Sequence, residues 1–424
     1  MTAVSPRKGP WGSPVLWFWL SAKTLSDISA AINTIIISIY MLSITGSPFS
    51  LGLLLACRMA GSVVGAFCIP YASRYFSPSS ILIFCDVLSA LCMFVLVLSP
   101  ATSDVLLLYP IVFCIGGLHG GFLVVIMSQS PNFMGYEMRH RMNAILGSIS
   151  GVAIVAGGIT ASIIYVLLPV KIIFLLDGAT FLLAAIIFAF TGRRLTSDRT
   201  QTTAASRNAA QPSSVKRRWV QFISAARVSL IALGAVIAAR FTEAFGSSTH
   251  NVGFPILSEA YDAGNPAFLF GWIMAFWGLG KMCSTFATPN LLHWMEKNGR
   301  SIAAVFYVCL IITFALFLAV FEAPGLPLML ILGFCAGFFD GSTETAYYSI
   351  LQSSPPEAKE SVISFSYFIE RAGMGMGILL VGHSFSVLGT ETTPQLFYGG
   401  SILVILVLVG FGFWRRQKNR RIEN

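Results

Sequence analysis

Apolar stretches long enough to cross a bilayer as helices follow one another along nearly the whole chain. A helix needs about 20 apolar residues to span the hydrocarbon, and in lipid each segment must satisfy its own backbone N–H and C=O groups. The first half predicts such helices near residues 16–40, 51–72, 80–99, 105–129, 144–168 and 171–191. The second half predicts them near 229–257, 267–290, 301–321, 326–350, 362–388 and 394–414. Turn-forming runs separate them: TGSP at 45–48, SPSS at 77–80, SPATSD at 99–104, AGNP at 263–266, EAPG at 322–325 and GTETTP at 389–394. Only 11% of the 424 residues are charged and the mean hydropathy is +0.77, whereas a soluble domain carries about 25% charged residues. The fold class that follows is an all-α membrane protein with twelve transmembrane helices.

One long polar stretch divides the pattern. Residues 191–228 hold Arg193, Arg194, Arg199, Arg207, Lys216, Arg217, Arg218 and Arg227 against one acid, Asp198. The middle is Thr, Ser, Ala, Gln and Pro, too polar to form a core, and reads as a flexible basic linker. It would join a six-helix bundle at 1–190 to a second one at 229–424, the latter ending in a basic tail. The connections alternate in charge. One set holds Arg7, Lys8, Arg74, Arg139, Arg141, the linker, Lys297, Arg300, Lys359 and the tail; the other holds Lys171 with Asp104, Glu259, Asp262, Glu322 and Glu391. Positive loops stay inside, so both termini and the linker are expected in the cytoplasm. The net charge of +9 is spent on this orientation, in clusters between apolar spans, and does not indicate nucleic acid. Anionic membrane lipid is the expected contact of the linker.

The halves also match each other. A shift of 219 residues lays GLLLACRMAGSVVGAFCIP (52–70) on GWIMAFWGLGKMCSTFATP (271–289), and a shift of 221 lays FCIGGLHGG (113–121) on FCAGFFDGS (334–342). Two matches in the same order point to a duplicated six-helix unit. Parallel repeats of this kind build one large class of secondary transporters.

LWFWLSAKTLSDISA, TGSPFSLGLLLACR, FCDVLSALCMFVL, MNAILGSISG and FLLDGATFLLAA resemble spans of bacterial major facilitator superfamily exporters, on the branch of the enterobactin exporter and macrolide efflux proteins. The resemblance covers most of 16–190 and, more loosely, 229–414. It implies a 6+6 pseudo-symmetric fold in the cell inner membrane, a monomer, and alternating access. It also implies proton-driven export of a small organic molecule, siderophore-like or drug-like. Import of a nutrient or siderophore, and a membrane sensor without transport, are the alternative readings. In the family's loop signature between the second and third helices, Arg74 matches the arginine, while Ser73 stands at the aspartate and Phe76 at a glycine. Arg74 is thus a remnant of the gating loop. GGITAS (157–162) keeps the small residues of the antiporter signature and loses its proline.

Charges inside the spans are costly and usually face a cavity or a partner. They are Lys23, Asp27, Arg58, Asp86, Asp177, Arg240, Glu243, Lys281, Asp340, Glu344, Glu370 and Arg371, with His119 beside them. The resemblance implies that helices one, four, seven and ten line the central cavity, which singles out Lys23, Asp27, His119, Arg240, Glu243, Asp340 and Glu344. Lys23–Asp27 and Arg240–Glu243 read equally as ion pairs along one helix face or as cavity groups. Asp340 and Glu344 have no base on their own helix, and two acids on one face resist joint ionisation. The proton-coupling candidates are therefore Glu344 and Asp340, then Glu243 and Asp27. Substrate-binding candidates are Arg58, His119, Arg240, Arg371 and Tyr347. Asp86 and Asp177 read as structural. No GxSxG, HExxH or GxxxxGK[ST] motif occurs, so neither an enzyme nor a nucleotide-driven pump is indicated. The eight cysteines lie in apolar runs without metal spacing, and no metal or cofactor is expected.

Overall fold

The computed structural model describes the backbone of residues 14–99, 104–134, 139–197, 215–352 and 356–423. Among them all regular structure is helical: α1 (Pro14–Thr45), α2 (Pro48–Tyr75), α3 (Pro78–Leu98), α4 (Asp104–Met134), α5 (Arg139–Leu167), α6 (Val170–Ser197), α7 (Val215–Tyr261), α8 (Pro266–Lys297), α9 (Ile302–Glu322), α10 (Leu326–Gln352) and α11 (Pro356–Glu423). The last is broken at Gly389, φ +78° and ψ −172°, so residues 356–388 and 390–423 are two helices. With that break, six helices lie on each side of the central stretch among the described residues. Ten segments there are long and apolar enough to cross a membrane, and one of them, Phe365–Phe411, contains the Gly389 break. The seventh helix, carrying Arg240 and Glu243, completes the twelve.

The predicted breaks are helix caps. Ser47 and Ser77 accept hydrogen bonds from the amides of Ser50 and Ser80, each followed by a proline at the first helical position, where no amide is needed. The GTETTP break reduces to Gly389 alone, since helix resumes through Pro394. Lys171, the lone base on its side, donates to the Ser99 carbonyl at the end of α3, where a cation complements the helix dipole. Helix enters the polar stretch from both sides. Helix α6 runs to Ser197 and α7 starts at Val215, with a kink at Leu233, while 198–214 lie outside the described residues.

Helices α1–α6 pack among themselves, as do α7–α11, and the two groups meet through α5 on α8 and α2 on residues 356–388. The internal match survives at the level of single atoms. A Cβ on Gly61 would lie 1.9 Å from the Phe113 carbonyl oxygen, and one on Gly280 would lie 2.0 Å from that of Phe334. One on Gly116 would lie 2.1 Å from the Arg58 oxygen, and one on Gly337 2.0 Å from that of Trp277. The same two shifts, 219 and 221, relate all four positions and all four carbonyls. Small residues let α2 meet α4, and α8 meet α10, backbone to backbone.

Side chains such as Phe84, Leu91 and Leu98 of α3, Leu183 and Phe190 of α6, and Leu403 and Val407 after Gly389 are exposed, as lipid-facing positions should be. Helix α9 is likewise two-sided. It shows Val308 outward and buries Phe306, Leu310, Phe314 and Phe317, Phe314 and Phe317 within an aromatic cluster with His250 and Tyr398. A second apolar cluster crosses between the halves: Leu51 and Leu55 of α2 pack with Val252 of α7 and with Ile378, Val381 and Phe385. It lies beside Gly52 and Gly382, which approach closely enough that a Cβ on either would lie 2.9 Å from the other's Cα. Ser162 of α5, whose hydroxyl is 2.8 Å from the Gly158 carbonyl of its own helix, also lies 3.3 Å from the Ala267 and Phe268 carbonyls at the start of α8. The halves are thus sealed at the end bearing the 45–48, 167–170 and 261–266 turns.

Candidate functional site

The polar stripe of α1 collects the buried charges of the first half. Lys23 and Asp27, one turn apart, form an ion pair at 1% and 8% side-chain exposure, and Ser150 of α5 bonds both at 3.2 and 3.1 Å. Ser26 donates to Asp86 of α3 at 2.8 Å. Ser29 and Asn33 hold the two oxygens of Asp177 of α6, Asn33 at 3.0 Å. Arg58 of α2 reaches the Asn33 and Ala30 oxygens at 3.5 Å. Spacings of three and four put Lys23, Ser26, Asp27, Ala30 and Asn33 on one face, so a single helix organises charges from α2, α3 and α6.

In the second half two cations serve four carboxylates. Arg240 of α7 lies 2.6 Å from Glu243, an ion contact, and donates to Glu370 at 2.8 and 3.3 Å. Lys281 of α8 lies 3.2 Å from Asp340 and 2.8 Å from Glu344 of α10. Asp340 and Glu344 are therefore not a bare acid pair; their cation comes from another helix, which their own helix's sequence could not show. Glu344 keeps 34% of its side chain accessible and Lys281 27%, while Arg240 and Glu243 keep 7% and 9%. Glu344 and Lys281 are thus partly accessible, and Arg240 and Glu243 are walled in.

The other candidates separate in the same way. Arg58 is buried within the α1 network. His119 does not meet the second-half acids; with Ser26, Cys85, Asp86 and Ser89 it lines a cavity of about 10 Å³, room for one water. Tyr347 is fully buried, its hydroxyl bonded to Ser366 and its ring 5.0 Å from the Arg240 guanidinium. In this conformation its ring braces Arg240 and is covered by protein on all sides. Arg371 lies over the Tyr367 ring at 4.9 Å and reaches Met59 sulfur at 3.7 Å across the two halves. Arg74 sits near the end of α2, and its side chain lies outside the described residues.

Sequence reasoning missed the partners rather than the charges. Lys281, Glu370, Ser150 and Asn33 join candidates that are far away in sequence, and no local spacing announces such pairs. One signal was present: the repeat shifts place Ser62 at Lys281 and His119 at Asp340. The Lys281–Asp340 pair thus exists only in the second half. Buried pairs of this kind hold each other ionised, whereas two acids on one cation leave room for one proton without stranding the cation. Among the described residues no cluster of His, Cys, Asp and Glu could hold a metal.

Comparison with known proteins accounts for this architecture. The family model described as Major Facilitator Superfamily matches residues 20–378. No curated protein matches the chain significantly. Solved structures do match. A point mutant of the peptide transporter POT in complex with sulfate aligns with TM-score 0.72 at 12% identity, covering 96% of each chain. The nucleoside transporter NupG aligns with TM-score 0.66 at 13% identity, covering 94% of this chain and 99% of its own. A bacterial homolog of the human lysosomal transporter Spinster, inward-facing and unoccupied, aligns with TM-score 0.66 at 14% identity over 95% and 97%. At such identities the likeness is one of fold. The family match over most of the length, the twelve helices and the paired charges at their centre agree, and the chain belongs to the major facilitator superfamily, as a multi-pass membrane transporter and not an enzyme.

Proposed function

We propose that this transporter exports a small organic molecule across the bacterial inner membrane in exchange for protons. Both termini would lie in the cytoplasm, and residues 1–190 and 229–424 would rock about the site, joined by the basic segment at 191–228. The observation that carries the reading is the sharing of Lys281 by Asp340 and Glu344. When Glu344 takes a proton, Lys281 still has Asp340 at 3.2 Å, so protonation costs no unpaired buried cation. Arg240, between Glu243 and Glu370, allows the same step deeper in the protein. Glu344 is the more accessible acid, which makes it the entry point. The Lys/Arg bias of the loops supports placing the end where Gly52 meets Gly382 outside. The resemblance to the enterobactin and macrolide export branch supports a siderophore-like or drug-like cargo.

The test uses proteoliposomes loaded with a pH-sensitive dye, with enterobactin and a macrolide supplied in turn under an imposed proton gradient. Wild-type protein should move protons against one of them. Glu344→Gln should fold and lose the pH dependence of flux. A wild-type pH response in that variant removes Glu344 from coupling, and proton-independent flux in the wild type removes coupling altogether.

A further inference from the structure

Beyond the shared-acid networks, a cavity of about 260 Å³ opens between α2 and residues 356–388. Its α2 wall is Ala56, Met59, Ala60 and Val63, one helix face by spacing. Its other wall includes Phe368, Arg371 and Met376. Arg371 is the sole charged residue among the described lining residues. Its neighbours are neutral, the Tyr367 ring and the Met59 sulfur, and its Nε is buried without a hydrogen-bond partner. The adjacent acid, Glu370, is taken by Arg240. Among the described residues no carboxylate lies within ion-pair distance of Arg371, and Glu370 and Glu344 attract it only from further away; a cation in apolar walls without a direct partner is costly unless a ligand supplies one.

We propose that this cavity binds an amphipathic anion, its carboxylate or phosphate on Arg371 and its apolar body against Met59, Val63, Phe368 and Met376. A small hydrated anion would lose water to walls that give nothing back, and a wholly apolar molecule would leave the guanidinium unpaired. The volume lies just below the range of about 300–1,000 Å³ common for small-ligand sites, enough for a short chain or for part of a longer one. The occupant touches both halves of the molecule, so its affinity depends on how the halves are arranged. The proposal rests on the transporter reading and names the chemistry its cargo or its lipid would share.

A photoreactive dodecanoate, incubated with the full chain in nanodiscs of neutral lipid, should label peptides holding Met59, Phe368 or Met376. Arg371→Gln should cut labelling by about tenfold, the scale of one lost charge-assisted hydrogen bond, and Arg371→Lys should retain most of it. Dodecanol should not compete. Added phosphatidylglycerol that suppresses labelling identifies membrane lipid as the occupant, and labelling that persists identifies a soluble amphipath. Equal labelling of Arg371→Gln, equal competition by dodecanol, or label confined to other helices overturns the site. Labelling reads binding alone: proton coupling can fail in the flux assay with the site intact, and the reverse.

Discussion

Replacing Lys281 with methionine keeps the length of the side chain and removes the cation that Asp340 and Glu344 share. The wild-type contacts are 3.2 and 2.8 Å, with side-chain exposures of 27% for Lys281, 12% for Asp340 and 34% for Glu344. Removing one partner of a fully buried pair costs about 3–5 kcal/mol, and losing an exposed pair about 0–1 kcal/mol. This site lies between those limits, so Lys281→Met should destabilise the fold by about 2 kcal/mol. The loss should come from the stranded acids rather than from the lost lysine. Adding Asp340→Asn and Glu344→Gln to Lys281→Met should bring stability back to within about 1 kcal/mol of wild type. Graded unfolding of the purified protein in mixed micelles measures both differences. A single variant as stable as wild type, or a triple variant no more stable than the single, refutes the reading that Lys281 serves both carboxylates.

Other outcomes follow from the close helix contacts. Gly61→Ala and Gly280→Ala each place a Cβ within 2.0 Å of a backbone oxygen, so each should destabilise by about 1–3 kcal/mol. Gly399→Ala, with no atom within 4 Å, should be neutral or gain up to about 1 kcal/mol; equal effects in all three would contradict the repeated packing. Gly382→Val should wedge apart the end where Gly52 and Gly382 meet. In a background without the eight native cysteines, an Asn251→Cys probe should then react with a membrane-impermeant maleimide. An unreactive probe would place the seal elsewhere.

The spans, the breaks at TGSP and SPSS, the duplicated unit and the identities of the buried charges were all readable in the chain. Each rests on local chemistry: apolar run length against bilayer thickness, proline and serine at turns, and the expense of a charge in lipid. The repeat was the more informative signal: it matched Gly61 to Gly280 and Phe113 to Phe334, and the structure shows that each glycine meets the carbonyl of the matched phenylalanine.

The pairing of those charges belonged to the tertiary structure. Asp340 and Glu344 lack a base on their own helix, and only the packing of α8 on α10 brings Lys281 between them. Tyr347, three residues on and so on the same side of the helix as Glu344, is fully buried under Arg240 while Glu344 stays partly accessible. Arg371 neighbours Glu370, yet the two side chains diverge about the helix, one to Arg240 and one toward α2. A helix turns about 100° per residue, so neighbours in sequence face different partners. What a buried charge does depends on which helix supplies that partner, and only the arrangement of twelve helices decides it.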